Sequence, residues 1–380
     1  MTRVIVVGAG MGGLAAAFDL SARGADVTVV EQHATPGGKM RQVNIDGHLL
    51  DAGPTVFTMR WIFDDLFSDA GLNFADHVGL HRADLLARHA WLDGTRLDLY
   101  TDIETSMAAI ETAFSTADAE AYRDFTDAAG RIFATLDQSF MRAQKPSPVG
   151  LAGRLGLTGI PALLATKPFA TLWQDLCARF PDQRLAQLFA RYSTYCGSSP
   201  FAAPATLQLI AHAERMGVWY LDGGMHSLAQ AMAGLIEQHG GTLRYGAPVS
   251  ELLSYDGRIT GVVLEDGEAL TADAVIFNGD NAALAEGLLG EGARSGVSPL
   301  PKDRDSLSAV TWNVVGNVSG FPLAHHTVLF GDDYPGEFAA VFDHRTVVKH
   351  PTVYICAQDR RDDEPGPAEE RLLLLINAPA

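Results

Sequence analysis

Val4 to Val7 is an unbroken apolar run, and VTVV from Val27 to Val30 nearly repeats it one helix-length later. Runs of this kind suit central strands of a parallel sheet, buried on both faces. Between them Leu14, Ala17, Phe18 and Ala22 recur at helical spacing, and Gly24 supplies a stop. The pattern predicts one βαβ unit with Glu31 at the carboxyl end of its second strand. Beyond it, Ile62, Phe63, Leu66 and Phe67 set a helical face before Gly71, and HAWLDGTRLDLY alternates around a hairpin turn at Asp93 and Gly94. Ile103 to Ala143 reads as one or two amphipathic helices, Lys145 to Gly159 as a Pro- and Gly-rich break, and Pro161 to Arg215 as mostly helical.

The second half changes period. Gly223 and Gly224 precede a helical stretch that Gly240 and Gly241 close, and TLRYG, VSELLSYDG, RITGVVLEDG and EALTADAVIFNGD read as a strand and meander returning to the parallel sheet. From Ser306 the stretches SAVTWNVVG, TVLFG and PTVYICAQ read as further strands. DRRDDEPGPAEE, Asp359 to Glu370, reads as a solvated charged loop. No internal repeat is visible. The chain class is α/β.

The first unit carries chemistry as well as pattern. Gly8, Gly10 and Gly13 form GxGxxG between strand and helix: a tight turn, a close approach for a pyrophosphate, and close helix-to-strand packing. The helix amino terminus offers free N–H groups and positive dipole. Glu31 stands where it can accept a ribose 2′-OH. Those features leave NAD and FAD both open. PGGKM, Pro36 to Met40, bears on the choice: its two glycines permit positive φ or close backbone approach, and Lys39 adds a cation near a pyrophosphate. Gly53 and Pro54 in DAGPTVF form a second backbone-first turn.

Quoted together, VVGAGMGGLAAAFDL, EQHATPGGKM and DAGPTVFTM resemble the FAD-dependent amine oxidase and carotenoid desaturase superfamily, and within it the bacterial phytoene desaturase type. ERMGVWYLDGGMHSLAQAM, ADAVIFNGD and LAHHTVLFGDDY fit the same family, nearest in look to the hydroxyneurosporene desaturases. The resemblance implies a Rossmann-like FAD-binding domain with an inserted α+β substrate domain. On that reading residues 1–90 and 216–300 form the FAD-binding domain, 91–215 a mostly helical substrate or membrane-facing domain, and 301–380 further substrate-domain strands. It implies FAD as cofactor, held by Gly8, Gly10, Gly12, Gly13, Glu31, Gly38, Lys39, Gly53 and Pro54, with Val249 giving backbone contact to the adenine. It implies a carotenoid substrate that loses a hydride to flavin N5 and a proton to a group no motif reveals. A reacting carbon must approach within about 3–3.5 Å, which calls for an apolar tunnel. Leu151 to Leu176 and Phe201 to Leu209 are its candidate walls. Family members continue past RLLLLINAPA with a glycine-rich segment, so the resemblance also implies a chain cut short at its carboxyl end.

Composition narrows the alternatives. A formal charge of −18 with no basic run argues against a nucleic-acid partner. Cys177, Cys196 and Cys356 lack metal or disulfide spacing. His325 and His326 are adjacent on an expected strand, should point to opposite faces, and are read as structural, with no metal site. Thr2 to Ala17 is absorbed by the nucleotide motif rather than read as a signal, and no long apolar run predicts a membrane span. The expectation is a cytoplasmic protein, with Gly150 to Trp173 able to touch the inner face of the cell membrane. A phytoene desaturase, an FAD-dependent amine oxidase and a non-catalytic escort like the GDP-dissociation inhibitors remain as alternatives. Stoichiometric flavin binding excludes the escort in its simple form, and peroxide release with primary amines marks the amine oxidase.

Overall fold

The computed structural model describes residues 1–143, 150, 160–294, 296–298, 306–362 and 364–380. Apart from Gly150, the break expected over Lys145–Gly159 lies outside them. The chain forms two compact units, Met1–His81 with Trp219–Asp305, and Arg82–Val218 with Ser306–Ala380.

The first unit is built on a four-stranded sheet in the order Ala274–Phe277, Arg3–Val7, Asp26–Val30, Thr242–Arg244, every pair parallel. Side chains alternate across a strand, and this sheet is covered on both faces. Val4 and Val6 join Val27 and Val29 in a core with Leu14, Phe18, Leu228, Met232 and Ile236, from the helices Met11–Ala22 and His226–Gln238. Ile5 and Val30 face the other way, onto Leu252, Val262 and Leu264 of an antiparallel three-stranded meander, Val249–Tyr255, Arg258–Leu264 and Ala269–Thr271. An apolar strand with no polar alternation is therefore what the two-sided burial requires.

The second unit has a six-stranded sheet in the order Ser308–Gly316, Glu370–Ala378, Val353–Ala357, His326–Leu329, Leu85–Ala90, Arg96–Tyr100. Only the pair His326–Leu329 with Leu85–Ala90 is parallel. Leu85–Ala90 thus takes its partners within this unit, so the division falls at His81 and Arg82 rather than after residue 90. Helices Ile103–Ala113, Thr116–Leu136, Leu172–Arg179, Gln183–Ala190 and Leu209–Met216 belong to it, with the rings of Phe125, Phe180 and Phe189 in mutual contact in a buried cluster.

Two local readings change. Tyr334–Phe342 is a helix where strands were expected; Asp333 caps it by accepting from Gly336 N at 2.9 Å, and Pro335 sits in its first turn. The charged stretch Asp359–Glu370 is also more than a solvated loop. Arg360 makes two bonds to the buried Glu370, at 2.6 and 2.7 Å, and a third to the Leu323 carbonyl at 2.6 Å. Charged ends that meet inside the fold hold the loop closed.

Candidate functional site

The glycine loop begins where the first strand ends. Gly8 has φ +96°, in the region that favours glycine, and its N–H donates to the Val30 carbonyl at 2.8 Å. Gly13 is required by packing: a β-carbon there would lie 2.1 Å from the Gly8 carbonyl oxygen. Gly10 and Gly12 differ in kind. The nearest atoms to a β-carbon at those positions belong to one side chain, Asn278, at 2.9 and 2.8 Å. They leave bare backbone at the start of Met11–Ala22, a helix with no side-chain cap and no acidic residue in its first turn. Unsatisfied N–H groups and positive dipole at such a terminus suit a pyrophosphate.

PGGKM closes onto this loop. Gly37 N donates to the Ala9 carbonyl at 2.8 Å, and Gly38, at φ +60°, would bring a β-carbon within 3.0 Å of the Gly10 Cα. The two glycines therefore let one backbone lie against another. Lys39 stands beside them with an exposed side chain and no ion pair among the described residues. Gly53 joins the same cluster, since a β-carbon there would fall 1.7 Å from the Lys39 carbonyl oxygen. Pro54 follows, exposed.

Glu31 is buried, and its carboxylate accepts from Ala9 N at 2.7 Å and His33 N at 2.9 Å. It fastens the glycine loop to the end of the second strand. Each carboxylate oxygen can accept more than once, so a ribose hydroxyl remains compatible with both bonds. Ala247 N donates to the Glu31 carbonyl at 2.8 Å, which brings the half-buried Val249 into the same neighbourhood. All ten candidate residues thus belong to the first unit, and the geometry fits a dinucleotide.

Glu31→Ala removes acceptors from two backbone donors as well as the carboxylate. A loss of about 1–3 kcal/mol in unfolding free energy is expected, beside weaker flavin binding. Urea unfolding and flavin titration on the same variant read the two effects separately.

Asn278 and Asp51 were not singled out by the sequence. Asn278 follows the strand Ala274–Phe277, its N–H donating to the Val7 carbonyl at 2.8 Å. The signal was the NGD that ends ADAVIFNGD. Asp51 is buried in DAGPT and accepts from Met225 N at 2.6 Å and His226 N at 3.2 Å, at the amino terminus of His226–Gln238. Burial raises its carboxyl above the usual range, while the two backbone donors act to lower it. Asp51→Ala should destabilise the first unit by about 0.5–2 kcal/mol, the usual effect of a lost cap, measured by urea unfolding.

In the second unit the two histidine rings do not diverge as strand alternation predicts. His325 precedes the strand that begins at His326, so strand alternation does not separate them. Their rings lie 4.5 Å apart, and ligating atoms of both fall within 4.8 Å of one another and of Cys356. Burial pushes both imidazoles below their ordinary range, as it does His89, pushed down to about 3 with Arg191 adding to the effect. Leu172 and Leu176, candidates for a tunnel wall, are fully buried and serve packing.

A parallel sheet ending in a glycine-lined helix start, with a buried acid closing the second strand, defines a dinucleotide-binding protein of the α/β class. The family described as "Flavin containing amine oxidoreductase" matches residues 11–311. "Hydroxyneurosporene desaturase" of Rubrivivax gelatinosus is 49% identical over 380 residues, all of this chain and 72% of the relative. The desaturase of the same name from Cereibacter sphaeroides is 44% identical over 382 residues, 99% of this chain and 76% of that one. An oxidoreductase structure from Methanosarcina mazei covers 98% of this chain and 78% of its own, with TM-score 0.59 at 18% identity, a likeness of fold. The chain belongs to the flavin-containing amine oxidoreductase family, on the branch that holds the hydroxyneurosporene desaturases. It is an oxidoreductase, and its cofactor is FAD.

Proposed function

We propose that the chain desaturates a long polyene with a hydroxylated end, a 1-hydroxycarotenoid such as hydroxyneurosporene, at a saturated bond next to the conjugated system. The observation that carries this reading is the 49% identity along the whole chain to a protein of that name. FAD, when bound, takes one hydrogen from the CH–CH bond as hydride while the other leaves as a proton. The chain's part is to hold and orient. The backbone of Gly8, Gly10, Gly12 and Gly13 and the free helix terminus receive the pyrophosphate. Glu31 holds the ribose, Gly38, Lys39, Gly53 and Pro54 border the cradle, and Val249 borders the adenine.

A polyene substrate is stored in a bilayer, and the exposed apolar side chains Leu164 and Phe169, with Lys167 between them, give the second unit a means of touching one. The reading is of a cytoplasmic protein that docks peripherally on the inner face of the cell membrane. No helix among the described residues is long and apolar enough to cross it.

The decisive experiment loads FAD-reconstituted protein onto liposomes carrying either hydroxyneurosporene or phytoene. A red shift of the hydroxylated polyene alone, from one more conjugated double bond, is expected. Conversion of phytoene alone would replace this substrate by another of the same class, and peroxide release from amines without polyene conversion would overturn the reading. Phe169→Ser should reduce co-flotation with the liposomes; unchanged flotation would remove that contact.

A further inference from the structure

His325, His326 and Cys356 lie in the second unit and take no part in the flavin cradle. His326 stands directly opposite Cys356 in the antiparallel ladder of His326–Leu329 with Val353–Ala357, so their side chains share one face of the sheet. His325 is held at the start of the same strand by two backbone bonds: its N–H donates to the Asp362 carbonyl at 2.9 Å, and its carbonyl accepts from Ala357 N at 2.8 Å. Three donor atoms of different residues are thereby fixed within 4.8 Å of one another. His326 and Cys356 are buried, at 3% and 1% exposure.

The second contacts of the rings fix their orientation. His325 Nδ1 is 2.6 Å from the Arg360 carbonyl oxygen, which can only accept, so Nδ1 carries the proton and Nε2 presents a lone pair. Nε2 faces Cys356 Sγ at 3.5 Å. Metal bonds of about 2.0–2.1 Å to nitrogen and 2.3 Å to sulfur at a tetrahedral angle place those two donors roughly 3.6 Å apart. The observed edge is already that of a zinc site. His326 Nδ1 is held by the Tyr354 hydroxyl at 2.7 Å, which directs its ring. A backbone carbonyl, as behind His325, is an outer partner that metal-bound histidines use.

We propose that His325, His326 and Cys356 bind Zn2+ as a three-donor structural site that ties the strands His326–Leu329 and Val353–Ala357 to the segment Asp359–Asp362. Two imidazoles and a thiolate suit this ion, borderline in softness and indifferent to ligand-field geometry. The thiolate cancels one of its two charges. Asp359 and Asp362 act on the His325 side and Arg191 on the His326 side, so the residual positive charge is favoured toward the carboxylates. The site is independent of the flavin reading.

The test uses the full chain, stripped with chelator and titrated with Co2+ as spectroscopic probe, then with Zn2+. One equivalent of Co2+ should produce a thiolate-to-cobalt charge-transfer band in difference spectra, Zn2+ should abolish the band by displacement, and Zn2+ should raise the thermal midpoint. Cys356→Ser should remove the band. His325→Gln and His326→Gln should each weaken binding by more than the about 10–100-fold that outer-shell partners carry. No charge-transfer band in the parent chain overturns the proposal, as does one-equivalent binding that survives all three substitutions unchanged. Should Cys356→Ser fail to fold, as judged by circular dichroism, the parent titration and the half-buried His325→Gln still decide.

Discussion

Gly10→Val should abolish flavin binding in a chain that still folds, whereas Gly13→Ala should damage the fold itself. At Gly10 the backbone is extended, at φ −68° and ψ 169°, a conformation open to valine, and the nearest atom to the added carbon beyond its chain neighbours, among the described residues, is the Asn278 amide nitrogen at 2.9 Å. That amide is the far end of a side chain and can turn aside. The branched side chain would then occupy the space in front of the helix terminus where the pyrophosphate belongs, and the clash begins at Cβ. At Gly13 the obstacle is the Gly8 carbonyl oxygen, 2.1 Å away, directly after the strand Arg3–Val7 of the parallel sheet. Helix and strand must separate, and a core containing Leu14 and Phe18 opens with them. A loss of roughly 1–3 kcal/mol or more is expected. Flavin content and urea unfolding on both variants give the two patterns. Full flavin occupancy in Gly10→Val would remove the cradle from its assigned place.

Mild acid should weaken the protein through its buried histidines. His89 is fully buried and pushed down to about 3, so the folded chain keeps it neutral while the unfolded chain protonates it near 6.5. A group depressed in this way contributes stability that is whole above about 6.5 and lost as the pH falls toward 3. From pH 7.5 to pH 5 the loss from His89 is about 2 kcal/mol. In the metal-free chain His325 and His326, also lowered by burial, act in the same direction. Asp51 and Glu337, raised by burial, act oppositely, since their charged forms are the costly ones and acid relieves them. The histidines govern the upper part of the range because they begin to titrate first. Urea midpoints between pH 7.5 and 5 should fall in the parent, and His89→Gln should fall less steeply by about one proton. An identical slope in that variant would show that His89 gains a proton in the folded chain.

What could be read from the sequence was what the backbone itself writes into residue choice. Four apolar residues without alternation meant a strand covered on both faces, and Val4, Ile5, Val6 and Val30 lie in the two cores that such a strand must have. Gly8, Gly10 and Gly13, with Glu31 after the second strand, marked a nucleotide turn, because positive φ, close approach and a ribose acceptor each demand a residue type at a fixed spacing. The Asp333 cap and Pro335 are local start signals of the helix Tyr334–Phe342, set among stretches whose apolar pattern reads as strand.

The tertiary structure alone decided which distant residues share a space. Gly38 packs on Gly10, Gly53 on Lys39, and Asn278 on the glycine loop, all through contacts between segments remote in sequence. Asp51 caps a helix 174 residues away, a pairing that no local pattern encodes. The same holds for His325, His326 and Cys356. Alternation along a strand predicts diverging rings, but His325 lies before the strand begins, and the ladder register brings Cys356 opposite His326. Periodicity fixes which way a side chain points within its own element. Only the pairing of elements, set by burial of the whole apolar surface, determines what it meets there.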